Sequence, residues 1–172
     1  MSQAQAFLAE FEHEAMMTRP FLERVPQDKL TWKPHTKSMT AGQLALHIAG
    51  VPGMVTTLAK EDSVPAPDFG APAPQPQTVR EILEAFDASV AKTKELLPKM
   101  DDAAMARMWS ATVEGKPILT MPRAAFLRNI LLNHWYQHRG QMGVYLRMLD
   151  VAVPSTYGPS ADEPPAFLKA QA

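Results

Sequence analysis

PRAAFLRNILLNHWYQHRGQMGVYLRML, residues 122–149, decides how this chain reads. Leu127, Leu131, His134, His138, Gln141, Tyr145 and Met148 follow one another in steps of three and four, the period of a single helix face. Pro122 suits a first helical turn. Gly140 and Gly143 lower helix propensity without breaking the period. One long helix from about Pro122 to Leu149 is therefore predicted, with His134 and His138 pointing inward along the core line.

Three more segments carry the same period. The first runs from about Ala4 to Arg24 through Phe7, Leu8, Phe11, Ala15, Thr18 and Leu22, and Pro26 marks its end. The second runs from about Ala41 to Lys60, with Ser38 or Thr40 as N-cap. Its stripe is Leu44, His47, Val51, Met54 and Leu58, and it continues on both sides of Pro52-Gly53. Thr78-Val-Arg-Glu81 reads as a capping box that starts the third helix, which Pro98 closes. Between the second and third lie Pro65, Pro67, Pro72, Pro74 and Pro76, which exclude a helix or central strand and predict a stiff overhand connection. Residues 100–121 read as a loop, in which Glu114-Gly115 between β-favouring runs suggests a small hairpin over 109–120. The tail from Val151 to Ala172 is expected to run over the surface. Four amphipathic helices with little strand signal predict an all-α fold, a helical bundle in one domain spanning 1–172, with its core at about 4–150.

Composition narrows the function. The net charge is −1, and a dedicated phosphate-backbone binder would carry a basic excess, so no nucleic-acid partner is expected. The absence of cysteine removes disulfides, thiolate metal sites and a protein thiol nucleophile. No apolar run reaches the ~18 residues a membrane span needs, so no membrane partner is expected. Glu10, Glu12 and Glu14 stand where a signal peptide would be basic and then apolar, so the expected location is cytoplasmic. No glycine-rich phosphate loop, serine nucleophile elbow or paired-carboxylate motif is present.

The chemistry therefore rests on histidine. His134 and His138, spaced i, i+4, place two imidazoles one turn apart on one face. His47 replaces an apolar residue between Leu44 and Val51. Three imidazoles sit where the pattern asks for Leu or Ile, and burying them without a partner is costly, so a metal ion or a polar network must satisfy them. Neutral imidazole ligates zinc, nickel, iron and copper, and three protein ligands leave a coordination position open for water or substrate. Gln141, three residues after His138, is read either as a partner for a ligand histidine or metal-bound water, or as a helix-packing amide. His13 and His35 are assigned to solvent and to a turn. Trp32, Trp109, Trp135 and Tyr136 are read as core or interface, and Arg139 and Arg147 as solvated or dimer-facing.

The quoted residues resemble the DinB (DinB/YfiT-like) metalloenzyme family over about residues 4–163. The resemblance rests on Trp32-Lys-Pro34, Met39-Thr-Ala-Gly-Gln-Leu-Ala-Leu-His47-Ile, Met121-Pro-Arg-Ala, His134-Trp-Tyr-Gln-His138-Arg-Gly-Gln141, Tyr145-Leu-Arg147 and the Val153-Pro-Ser-Thr-Tyr-Gly158-Pro-Ser stretch. It implies a four-helix bundle with long crossover connections. It also implies a divalent metal, zinc or nickel before iron or manganese, held by His47, His134 and His138. Relatives include transferases and isomerases that use low-molecular-weight thiols, and family members often form homodimers. The leading expectation is a metal-dependent enzyme acting on a small molecule, an S-transferase or isomerase with an external thiol. The alternatives are a metal-dependent hydrolase, a non-catalytic metal-binding stress protein or small-ligand binder, and an interaction module.

Overall fold

The computed structural model describes residues 1–68, 70–165 and 168. Helices α1 (Gln3–Glu23), α2 (Ala41–Leu58) and α3 (Val79–Leu96) are followed by a short α4 (Asp102–Ala106). The last helical stretch is built from α5 (Arg123–Phe126), a π-helical segment (Leu127–Asn133) and α6 (His134–Met148). Strands β1 (Ser63–Pro65), β2 (Met108–Val113) and β3 (Lys116–Pro122) form a three-stranded sheet in the order β1-β2-β3. The expectation of an all-α chain is thus corrected: the protein is mostly helical with a small sheet. The hairpin was legible from Glu114-Gly115, and both residues take positive φ, 50° and 75°, as a tight two-residue turn between twisted strands requires. Its parallel partner β1 was hidden because three residues ending in Pro65 carry no period. An edge position accommodates that proline.

Local chemistry starts each long helix. The Ser2 hydroxyl accepts from the Gln5 N–H at 3.2 Å and the Gln5 side chain accepts from the Ser2 N–H at 2.8 Å, so α1 opens on a capping box before its apolar stripe. Thr40 and Gln43 do the same for α2, at 3.1 and 3.0 Å, which settles the choice between Ser38 and Thr40. At α3 the Thr78 hydroxyl accepts from the Glu81 N–H, but the Glu81 carboxylate reaches the N–H of Gln77. The reciprocal bond expected of a capping box has moved back by one residue.

Helix α2 packs along α3 and α6, and α1 packs on α3 and α6. Gly53 permits the close approach of α2 to α3, since a Cβ there would stand 3.0 Å from the Ser89 Cα. The Ser89 hydroxyl accepts from the Gly53 N–H at 2.7 Å. The core gathers Phe11, Leu22, Leu44, Ile48, Ile82 and Leu131 around Trp135, which stacks on Phe11 at a ring separation of 5.3 Å. The proline-rich connection is fastened over the start of α2: Gln75 accepts from the Thr40 hydroxyl and donates to the Leu30 carbonyl, and Gln43 donates to the Ala73 carbonyl.

Residues 122–149 are not one uniform helix. Pro122 ends β3 and caps α5, and over Leu127–Asn133 the backbone opens to a π-helix, with the His134 N–H bonding to the Asn129 carbonyl. Each such widening inserts about one residue and advances the side-chain phase by about 100°. Leu127 and Leu131 therefore lie in the core, while the core line of α6 passes to Trp135, Arg139, Met142 and Leu146. His134 and His138 sit beside that line, and Gln141 and Met148 are exposed. On α2, Met54 likewise faces outward, 52% exposed.

Arg139 corrects the expectation of a solvated or dimer-facing side chain. It is buried and paired with Glu14 at 2.7 Å; the Thr18 hydroxyl, 3.2 Å away, and the Glu14 backbone carbonyl accept from the same guanidinium nitrogen. Tyr157 closes the group, donating to Glu14 at 2.8 Å and accepting from Arg139 at 2.6 Å. A buried charge is tolerable only with such partners. This network ties the tail to α1 and α6. Residues 166, 167 and 169–172, the end of the predicted tail, lie outside the described residues.

Candidate metal centre

His47 comes from the middle of α2, and His134 and His138 from the first turn and a half of α6. The three rings face one another nearly at right angles, with interplanar angles of 86–88° and centroid separations of 4.4, 4.7 and 5.2 Å. One ring nitrogen from each lies within 4.8 Å of the others. Nε2 of His138 and Nε2 of His134 are 2.9 Å apart. Two nitrogens bound at ~2.1 Å to one ion stand about 3–3.5 Å apart, so a small opening of this pair accommodates a metal. Among the described residues no carboxylate or further histidine joins the group. His13 and His35 are exposed and lie outside it, as the sequence indicated.

Hydrogen bonding points the same way. The Gln141 Oε1 lies 2.6 Å from His138 Nδ1. With that oxygen as acceptor, the proton of a neutral His138 sits on Nδ1 and its Nε2 carries a lone pair toward the centre. Among the described residues His47 Nε2 is buried and has no hydrogen-bond partner. A buried imidazole nitrogen without a partner, in a ring grouped with two others, fits coordination to a Lewis acid. Of the two readings of Gln141, the one that orients a histidine matches this geometry.

Electrostatics keeps His47 and His134 in their ligating form. Burial, reinforced by His138 and His134, pushes the His47 pKa down to about 4. Burial and then His138 lower that of His134 as well. At neutral pH both rings are uncharged, the state in which imidazole donates to a metal.

The registration of α2 against α6 has its own device, which the sequence reading missed. Pro52 has no N–H, so the carbonyl of Ile48, four residues earlier, loses its helical partner. The Trp135 indole N–H donates to that carbonyl at 2.8 Å. Ile48 follows His47 and Trp135 follows His134, so this one bond locks together the residues adjacent to two of the three histidines. A proline inside a helical stripe was the available signal, since it always frees a carbonyl that some other donor must meet.

The comparisons agree with this frame. Residues 1–166 match the family model described as DinB family. The chain is 27% identical over 159 residues to the uncharacterized protein YrdA of Bacillus subtilis (strain 168), covering 91% of this chain and 89% of YrdA. In fold it is similar to a crystallised DinB-like protein from Bacillus cereus, with a TM-score of 0.70 at 24% identity, covering 91% of this chain and 100% of that one. The DinB-like protein YjoA from Bacillus subtilis gives a TM-score of 0.66 at 20% identity, covering 87% and 95%. Family match and helical frame extend together over nearly the whole sequence, and the chain belongs to the DinB family.

Proposed function

We propose that His47, His134 and His138 hold one divalent ion per chain, zinc or nickel before iron or manganese, and that the centre serves a metal-dependent reaction on a small molecule. The observation that carries this reading is that one ring nitrogen from each of the three histidines lies within 4.8 Å of the others, with Nε2 of His134 and of His138 only 2.9 Å apart and Nε2 of His47 buried without a partner among the described residues. A divalent ion there supplies Lewis acidity, able to bring the pKa of a coordinated thiol or water into the neutral range. With three ligands from the protein, a coordination position remains for that molecule. The chain has no cysteine, so thiol chemistry requires an external low-molecular-weight thiol, and S-transfer or isomerisation is the preferred form of the proposal over hydrolysis. In the same proposal the long helices form a DinB-type four-helix bundle with crossover connections.

The protein's own residues have separable tasks. Gln141 holds the proton on His138 Nδ1 and so fixes which nitrogen faces the centre. The Trp135–Ile48 bond sets the spacing of the two helices. The test is cobalt substitution followed by titration with a small thiol. A spectral change that saturates at one thiol per cobalt supports an open centre. A spectrum indifferent to thiols, hydroxide and small anions contradicts it.

A further inference from the structure

A cleft of about 340 Å³ borders the histidine group, and His47 belongs to both. Its walls include Leu46, Val51 and Met54 of α2, with Pro74 of the proline-rich connection opposite. Among the described residues no charged side chain lines it. Four other clefts on the described surface are each edged by at least one: Arg19 and Lys94 between α1 and α3, Lys92 between α2 and α3, Arg107 near α4, and Arg147 beside the tail. Gln43, the one amide in the wall, is already used at both ends, accepting from the Thr40 N–H and donating to the Ala73 carbonyl. His47 is therefore the polar side chain of the wall left for a guest.

We infer that this cleft holds an uncharged, apolar portion of the substrate, an alkyl or aryl arm, while the polar reacting end sits at the three histidines. The inference rests on the metal-centre reading for that polar end, and on the cleft alone for the arm. A carboxylate or ammonium in the arm would be stripped of water with no counter-charge among the described wall residues and, with His47 taken by the polar reacting end, no free hydrogen-bonding side chain to meet it, so charged arms are rejected. An alkyl arm gains with each methylene buried, up to about fourfold in affinity per carbon and less where the cleft opens to solvent. Met54, exposed at the rim that this cleft shares with the groove between α2 and α3, sets the length of arm accepted. Its flexible thioether suits a wall that adapts to arms of different shape.

The test has two arms. On metal-free protein with labelled methionine methyls, 1-hexanol is expected to shift the Met54 methyl saturably, while hexanoate and hexylammonium leave it in place. On zinc-loaded protein, straight-chain alkyl hydroxamates are expected to gain roughly two- to fourfold in affinity per added methylene. Met54→Asp is expected to abolish that gain while zinc stays at one per chain. An unmoved Met54 methyl, an equal response to hexanoate, or hydroxamate affinities independent of chain length at full zinc loading would each overturn the inference. A protein that takes up no zinc would refute the metal-centre reading, and the hexanol arm would still decide the cleft.

Discussion

Replacing Trp135 by Phe removes the one donor that meets the carbonyl freed by Pro52. Trp135 is 1% exposed, so water cannot substitute for the lost N–H. An unmet buried carbonyl costs about 1–3 kcal/mol. The smaller ring leaves a void worth about 1 kcal/mol more. The expected loss is about 2–4 kcal/mol, which in a domain of this size lowers the melting midpoint by roughly 4–16 °C. The decisive step is the second substitution. Pro52→Ala restores an N–H at position 52, which can donate to the Ile48 carbonyl along the helix. In the Trp135→Phe background it should return about 1–2 kcal/mol. In the parent protein it should do little, because the carbonyl is already met and losing the proline loosens the unfolded chain by only about 0.4–1 kcal/mol. The assay is a double-mutant cycle by urea unfolding of the metal-free protein. Additivity of the two changes within about 0.5 kcal/mol would refute the reasoning.

Other outcomes follow from the same geometry. His47 has a pKa of about 4 in the folded protein against 6.5 ordinarily, so the unfolded chain takes up the proton first as pH falls. Metal-free protein should therefore lose stability between about pH 6.5 and 4, by up to about 2 kcal/mol after solvent screening of the half-buried ring, as read by urea midpoints across that range. Gln141→Leu should weaken metal binding roughly 10- to 100-fold in a chelator competition without changing the stoichiometry, because it releases the His138 ring. Chelation should lower the midpoint by roughly 5–11 °C from a starting free metal concentration of a hundred times Kd, with helicity at 25 °C unchanged by circular dichroism. Glu114→Asn should stabilise the hairpin by a few tenths of a kcal/mol to about 1 kcal/mol, since Glu114 holds a φ of 50° that asparagine tolerates better.

The helices were legible because caps and stripes agree at Thr40, Thr78 and along Phe11–Leu22, and the tight turn because Glu114-Gly115 stands between two β-favouring runs. The histidines were legible because His47, His134 and His138 occupy positions where the stripe asks for Leu or Ile. Three things were not. The π segment before His134 carries no compositional mark, because leucine and asparagine serve an α-helix as well, and it displaces His134 and His138 from the core line of α6. Arg139 looked solvated because its counter-charge Glu14 and its partner Tyr157 lie far away in sequence and meet only in the fold. The cleft beside His47 depends on where the prolines of residues 72–76 cross α2, and no local pattern encodes a crossing. Each miss is a long-range or phase effect, whereas each success is a local one.

The metal content of the purified chain tests the three-histidine centre most directly. Elemental analysis after equilibration with one divalent metal and removal of excess should give one ion per chain for the parent protein. His47→Ala, and His134→Ala combined with His138→Ala, should each lower that value toward zero while circular dichroism confirms that the helices remain. Stoichiometric metal in the folded His134→Ala/His138→Ala protein would contradict the central claim.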